Sequence, residues 1–269
     1  MTHPSSPDYV PVDPIQGVMP WLGGKRVLAK TLVPMIEAIP HICYAEPFVG
    51  AGGVFFRRRR RPKSEVINDK SRDMATLFRV LQRHAPALLD ELQWCLTSRA
   101  THDRLRATDP ETLTDIERAA RCVCLQYCAY GGKLGGVFAG SPLGSARLKH
   151  SRIERLLRRI HARLEDVWID CLDWVDFLTR WDRPGTLFYL DPPYYGCEND
   201  YGRGLFERTD FERLSESLKS LQGRFLLSLN DHPEVRRTFA RFSIREIQTV
   251  YQISGSNHPT TELLISDGR

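Results

Sequence analysis

The sequence predicts an α/β protein built on one mostly parallel sheet and interrupted by a long helical insertion. Three observations predict it. Seven short apolar runs of strand length recur along the chain, with helical patterns between the early ones. The first run breaks into the glycine turn Val49-Gly50-Ala51-Gly52-Gly53 and the next ends on an acid, as in the opening of a nucleotide-binding βαβ unit. Between residues 83 and 163 this rhythm stops and amphipathic helix takes over.

Residues 1–19 hold four prolines and little periodicity, and read as a mobile arm. Trp21-Leu22-Gly23-Gly24-Lys25-Arg26 opens a helix to about Ala38, closed by Pro40. Ile42–Phe48 is a buried strand; after its glycine turn a helical stretch runs on through Phe56. Glu65–Asp69 is the second strand. In the insertion, Ile153, Leu156, Leu157, Ile160 and Leu164 fall on one face of a basic helix. Strands resume at Val167–Ile169, Thr186–Leu190, Phe225–Leu229, Phe242–Ile247 and Glu262–Ile265, with a helix over Phe211–Leu221. The sheet thus draws on residues 20–82 and 164–269.

Composition narrows the class. The 269 residues are 42% hydrophobic and carry a net charge of +5, enough core for a folded domain and compatible with nucleic acid without requiring it. No apolar run approaches the roughly 18 residues of a membrane span, and Met1–Pro14 lacks the pattern of an export signal. The seven cysteines read as reduced thiols of a cytoplasmic protein. Cys122-x-Cys124-x3-Cys128 does not have zinc spacing and reads as buried thiols, without a metal.

The sharpest motif is Asp191-Pro192-Pro193-Tyr194, directly after the strand Thr186–Leu190. With proline near 5% of residues, that tetrapeptide arises by chance in roughly one chain in a thousand of this size. The prolines end the strand and remove two backbone donors, while their carbonyls remain as fixed acceptors. A carboxylate and a proline carbonyl beside an aromatic face make an acceptor-only site suited to the exocyclic amine of a flat base.

Taken in order, Trp21-Leu-Gly-Gly-Lys25, Glu46-Pro-Phe-Val-Gly50-Ala-Gly52, Asn68-Asp69 and Asp191-Pro-Pro-Tyr194 resemble the D12 class of DNA adenine-N6 methyltransferases, in the forms carried by phages and prophages. Leu227-Ser-Leu-Asn-Asp231 and Glu262-Leu-Leu-Ile265 extend the resemblance, which covers nearly all of residues 20–266. It implies a Rossmann-like, AdoMet-dependent methyltransferase fold on a seven-stranded sheet, with the helical insertion 83–163 as target-recognition region. S-adenosylmethionine (AdoMet) is the implied cofactor and double-stranded DNA the implied partner of a monomeric enzyme. Asp191, Pro192, Pro193 and Tyr194 are the implied catalytic residues. Trp21, Lys25, Glu46, Phe48, Gly50, Gly52, Asp69 and Asp191 are implied at the cofactor, Lys25 near its carboxylate and Asp69 at its ribose. A turn or N-cap role is the other reading of Asp69, and Asp173 reads equally as a residue near the cofactor adenine or a turn acid.

Adenine N6 is a weak nucleophile, its lone pair delocalised into the ring. Asp191 and the Pro192 carbonyl would each accept one N6–H, and the carboxylate would stabilise the charge that grows on nitrogen. The base must leave the duplex to reach them, with Tyr194 as the platform that receives it and Tyr195 as packing. Among basic residues, Arg57–Arg61 reads first as a solvated helix cap and second as auxiliary phosphate contact. The segment 145–163 carries seven basic residues against Glu154 alone, and Arg152, Arg155, Arg159 and Arg163 share a face by spacing. Lys133, Arg147, Lys149, Arg152, Arg155 and Arg159 are therefore the candidate DNA contacts, with base readers sought among Arg, Asn and Gln of 126–150.

Overall fold

The computed structural model describes residues 8–133, 135–140, 145–202, 204–253 and 256–268. Its strands are β1 (Val10–Pro11), β2 (Cys43–Glu46), β3 (Arg60–Arg61), β4 (Ser64–Asn68), β5 (Val167–Asp170), β6 (Thr186–Leu190), β7 (Arg224–Asn230), β8 (Ser243–Ile253) and β9 (Ser256–Ser266). Seven of them form one sheet in the order β5-β4-β2-β6-β7-β9-β8. The first five in that order are mutually parallel; β9 runs antiparallel to both of its neighbours, β7 and β8, so β8 points the same way as the first five. The inner parallel strands β2, β4, β6 and β7 are buried along most of their length, as a sheet covered on both sides requires, whereas Trp168 of the edge strand β5 is exposed. Alternation along the strands sends Tyr44, Ile67, Leu187 and Leu226 to one core and Ala45, Val66, Phe188 and Leu227 to the other.

Nine helices are described: α1 (Ala29–Ala38), α2 (Arg72–Arg83), α3 (Ala85–Leu92), α4 (Arg99–Ala107), α5 (Asp115–Cys128), α6 (His150–Leu164), α7 (Trp174–Trp181), α8 (Asp210–Lys219) and α9 (Pro233–Thr238). α7, α8 and α9 cover one face of the sheet; α1, α2, α3, α5 and α6 build the core of the other. The inserted helices therefore join the core of the sheet. Ala119, Val123, Leu157 and Ile160 are buried in the same cluster as Tyr44 and Leu187.

Four expectations are corrected here. Residues 1–7 of the expected arm lie outside the described residues, but 10–19 are packed: β1 pairs with β3, and Ile15, Val18 and Met19 are buried. The prolines there shape an irregular but anchored segment. After the glycine turn, the chain makes only a short 3-10 turn at Phe55–Arg57 before extending into β3. The arginine run is therefore no helix cap. Arg58 is buried against the Tyr44 ring (3.7 Å) and the Glu65 carboxylate (2.8 Å), while Arg61 pairs with Asp166. Finally, Cys95 and Cys124 form a disulfide, Cα atoms 6.8 Å apart. The sequence separation of 29 gave no sign that the end of α3 meets α5. Cys122 is a buried thiol whose pKa burial pushes up to about 12.

Candidate active site

The strand order fixes where a site forms. The chain runs outward from β2 to β4 and β5, then returns to the other flank of β2 with β6. The loops leaving β2 and β6 diverge at that reversal, and their carboxyl ends open a crevice. Here β2 ends on Glu46 and passes into the glycine turn; β6 ends on Leu190 and passes into Asp191. A cavity of about 670 Å³ fills the crevice, lined by Trp21, Lys25, Glu46, Phe48, Gly50, Asp69, Asp191 and Pro193. The turn and the acid thus share one chamber.

Asp191 is held from two sides. Lys25 Nζ lies 2.8 Å from its Oδ1, and the Ser228 hydroxyl donates to the same oxygen at 3.0 Å. The Tyr189 hydroxyl in turn meets Ser228 Oγ at 2.9 Å. Both donors act on Oδ1, so Oδ2 carries no hydrogen bond among the described residues and is left for a ligand. Burial pushes the Asp191 carboxyl above its ordinary range, while Lys25 and Ser228 pull the other way. Lys25 itself is buried, donates to the Tyr194 hydroxyl at 2.8 Å and sits 4.5 Å from the Tyr194 ring centre. Pro192 and Pro193 are buried beside it, and Tyr195 packs between His232 (4.4 Å) and Phe211 (5.2 Å).

The glycine turn is tight against its neighbours. Gly50 has φ +49°, and a Cβ there would stand 2.8 Å from Trp21 Nε1, so a side chain would displace the indole from the cavity wall. Gly52 is buried behind the wall, where a Cβ would meet the Phe56 ring at 2.3 Å; it packs the turn and does not line the chamber. Asp69 accepts the Gly50 N–H (3.0 Å) and the Ser71 N–H (2.9 Å), tying the turn to the end of β4. Burial nevertheless raises its pKa to about 6. Burial likewise raises Glu46 to about 8 against the pull of the Tyr44 hydroxyl, which donates to it at 2.6 Å. Phe48 stands edge-on to Phe206, 5.8 Å away. Asp173 serves as N-cap of α7, accepting the Val175 N–H and pairing with Lys70, and is not among the lining residues; its neighbour Trp174 is.

The model of the D12 class N6 adenine-specific DNA methyltransferases matches residues 21–253. This chain belongs to that family. It is 23% identical over 265 residues to the type II methyltransferase M.CviBI of Paramecium bursaria Chlorella virus NC1A, covering 93% of this chain and 98% of the viral protein. It is also 23% identical over 247 residues to the type II methyltransferase M.MjaIII of Methanocaldococcus jannaschii, covering 78% of this chain and 81% of the archaeal one. The protein is accordingly a site-specific DNA methyltransferase acting on adenine N6. Among the described residues no helix is long and apolar enough to cross a membrane, and no group of ligands is arranged for a metal.

The methyltransferase insertion brings some of its basic residues to the chamber and diverts others. Arg147, Lys149 and Arg152 line the cavity mouth and are exposed, as are Arg155 and Arg159 beyond them. Arg147 also donates to the Ala129 carbonyl (3.1 Å) and Arg159 to the Pro14 carbonyl (3.1 Å). Lys133 pairs with Asp200 at 2.8 Å. Arg163 is no part of this surface: it is buried, bridging α6 to β4 through both oxygens of Glu65. Gln126, within the pool expected to read bases, is also buried; its amide donates to the Pro20 carbonyl at 2.9 Å and to that of Gly132. Three lining or supporting groups escaped the sequence reading. Tyr189 and Ser228 are polar residues inside apolar strands, a signal that the motif Leu227-Ser-Leu-Asn-Asp231 already held, whereas Arg57 was hidden in its run.

Proposed function

We propose that the chamber holds AdoMet along the Gly50 turn and an extruded adenine at Asp191. Its volume, the close approach that Gly50 permits and the acids at the strand ends suit a nucleoside bearing an amino-acid tail. Trp21, Phe48 and Gly50 would bound the cofactor, with Glu46 and Asp69 as acceptors for its donors. Bound there, AdoMet supplies an electrophilic methyl on a sulfonium. Asp191 Oδ2 and the Pro192 carbonyl accept the two N6 hydrogens, turning the nitrogen lone pair away from the ring. The carboxylate then stands beside the positive charge that develops on N6. Lys25 and Ser228 fix the other oxygen, so the acid neither rotates nor drifts. The Tyr194 face receives the base, and the basic rim at Arg147, Lys149 and Arg152 meets the duplex that released it. The enzyme works as a monomer on double-stranded DNA in this reading.

The single observation carrying this is that one cavity joins residue 191 to the glycine turn. Asp191→Asn tests it. Methyl transfer to duplex DNA should fall by at least about a hundredfold while AdoMet still binds. The substitution also leaves buried Lys25 without its counter-charge, so a thermal melt is read beside the rate. Turnover near the wild-type rate in a folded variant would remove Asp191 from the reaction.

A further inference from the structure

Lys25, the residue whose ammonium was expected at the cofactor carboxylate, is already committed to Asp191 and Tyr194. An anionic tail in this chamber therefore needs another cation; of those in the wall, Lys70 is paired with Asp173 and Arg26, Arg147, Lys149 and Arg152 are exposed, whereas Arg57 is withdrawn from water. Arg57 is half-buried at the end of the 3-10 turn and lines the cavity together with Gly53, Val54 and Gly17. Its Nη1 donates to the Gly53 carbonyl at 2.5 Å and lies 3.8 Å from where a Cβ of Gly53 would stand, so the guanidinium sits directly on the glycine turn.

Its electrostatic setting differs from that of its neighbours. Arg58 and Arg61 have carboxylate partners, Arg60 caps the Glu37 carbonyl under the Tyr9 ring, and Arg59 is exposed. Among the described residues, Arg57 has no carboxylate in salt-bridge reach, and the charge that acts on it is the like charge of Arg26. Burial and Arg26 both disfavour its charged form. The acids of the chamber do not compensate it, since Glu46, Asp69 and Asp191 already have donors. A guanidinium withdrawn from water in a cavity wall, with donors to spare beyond Gly53, is a site for an anion that the chain does not supply.

We infer that Arg57 binds the amino-acid carboxylate of AdoMet, leaving Lys25 to the catalytic acid. This rests on the AdoMet reading of the chamber. The rival anion is a DNA phosphate, but Arg57 is half-buried beside the glycine turn, whereas the exposed cations Lys149 and Arg152 occupy the mouth.

Calorimetric titration without DNA tests it, using AdoMet and decarboxylated AdoMet, which keeps the amine and the sulfonium but lacks the carboxylate. Wild-type protein should prefer AdoMet by roughly ten- to a hundredfold, the worth of a charge-assisted hydrogen bond. Arg57→Gln should lose that preference by weakening AdoMet alone, and Arg57→Lys should keep part of it. DNA affinity of Arg57→Gln, read by fluorescence anisotropy, should match wild type. Equal binding of the two ligands by the wild type overturns the assignment even if no variant folds. So does full preference retained in Arg57→Gln, or a variant weakened only toward DNA, which would give the guanidinium to phosphate. Failure of the wild type to bind either ligand would instead sink the cofactor reading itself, and this inference with it.

Discussion

At the scale of single residues, the proposed reaction requires one carboxyl to be both ionised and aimed. Burial alone favours the neutral form of Asp191, and two donors to Oδ1 oppose it. Ser228 is a positioning residue in this arrangement, itself held by Tyr189. Ser228→Ala removes a bond that lowers the acid's pKa, so the acid limb of the methylation pH profile should move to higher pH, with kcat down about tenfold and AdoMet affinity unchanged. Ser228→Thr, which keeps a hydroxyl, should restore the limb. A lower rate with an unmoved limb would make Ser228 a packing residue. At Glu46 burial also prevails and carries the pKa to about 8, so its carboxyl is mostly protonated at neutral pH. An acid whose pKa rises from 4.5 to about 8 on folding binds more protons when folded. Its contribution to stability is therefore full below about pH 4.5 and is lost as pH climbs through about 8. Glu46→Gln mimics the neutral acid without titrating, so urea midpoints should fall less steeply from about pH 5 to about pH 8 than in wild type, a difference of a few kcal/mol.

At the scale of elements, what was legible followed from periodicity and from breaks in it. All seven sheet strands showed as apolar runs, though 242–247 and 262–265 cover only part of β8 and β9, and the two that lead into the chamber end in a glycine turn and in Asp-Pro-Pro, signals that are local in sequence. What failed depended on contacts distant along the chain. Charge type does not say whether an arginine meets water or a buried acid, so Arg58 and Arg163 read as surface until Glu65 is seen between them. Asp173 and Gln126 are of the right chemical type but are used up by a helix cap and by two carbonyls. On α6 and at its N-cap the same distinction separates paired cations from those at the chamber. Arg158 is paired with Glu154 one turn away, whereas Lys149 and Arg152 line the chamber mouth. Replacing Lys149 and Arg152 by Gln should reduce the slope of log affinity for DNA against log salt by about 1.8, near 0.9 for each phosphate no longer neutralised, while Arg158→Gln leaves it nearly unchanged. Equal slopes in both variants would detach this face from DNA.

At the scale of the whole molecule, the helices between β4 and β5 share one core with the sheet. The apolar face of α6 is completed by the sheet, as Leu157 and Ile160 are buried in one cluster with Tyr44 and Leu187. The Glu65 carboxylate, on a strand of the catalytic half, takes both Arg58 and Arg163, so β4 and α6 are joined by charge as well as by packing. Such a bridge ties α6 to the strand that leads into Asp69 and so holds the basic side of the chamber in register with the acids at the strand ends. Unfolding should then be shared. Ile160→Ala removes a fully buried side chain of the insertion at a cost of about 2–5 kcal/mol. The loss should lower the Tm by several degrees in one transition, with far-UV circular dichroism and tryptophan fluorescence moving together. A melt that splits, with only a minor phase shifted and the sheet untouched, would mean that the helices fold on their own and that the common core contributes little to holding them.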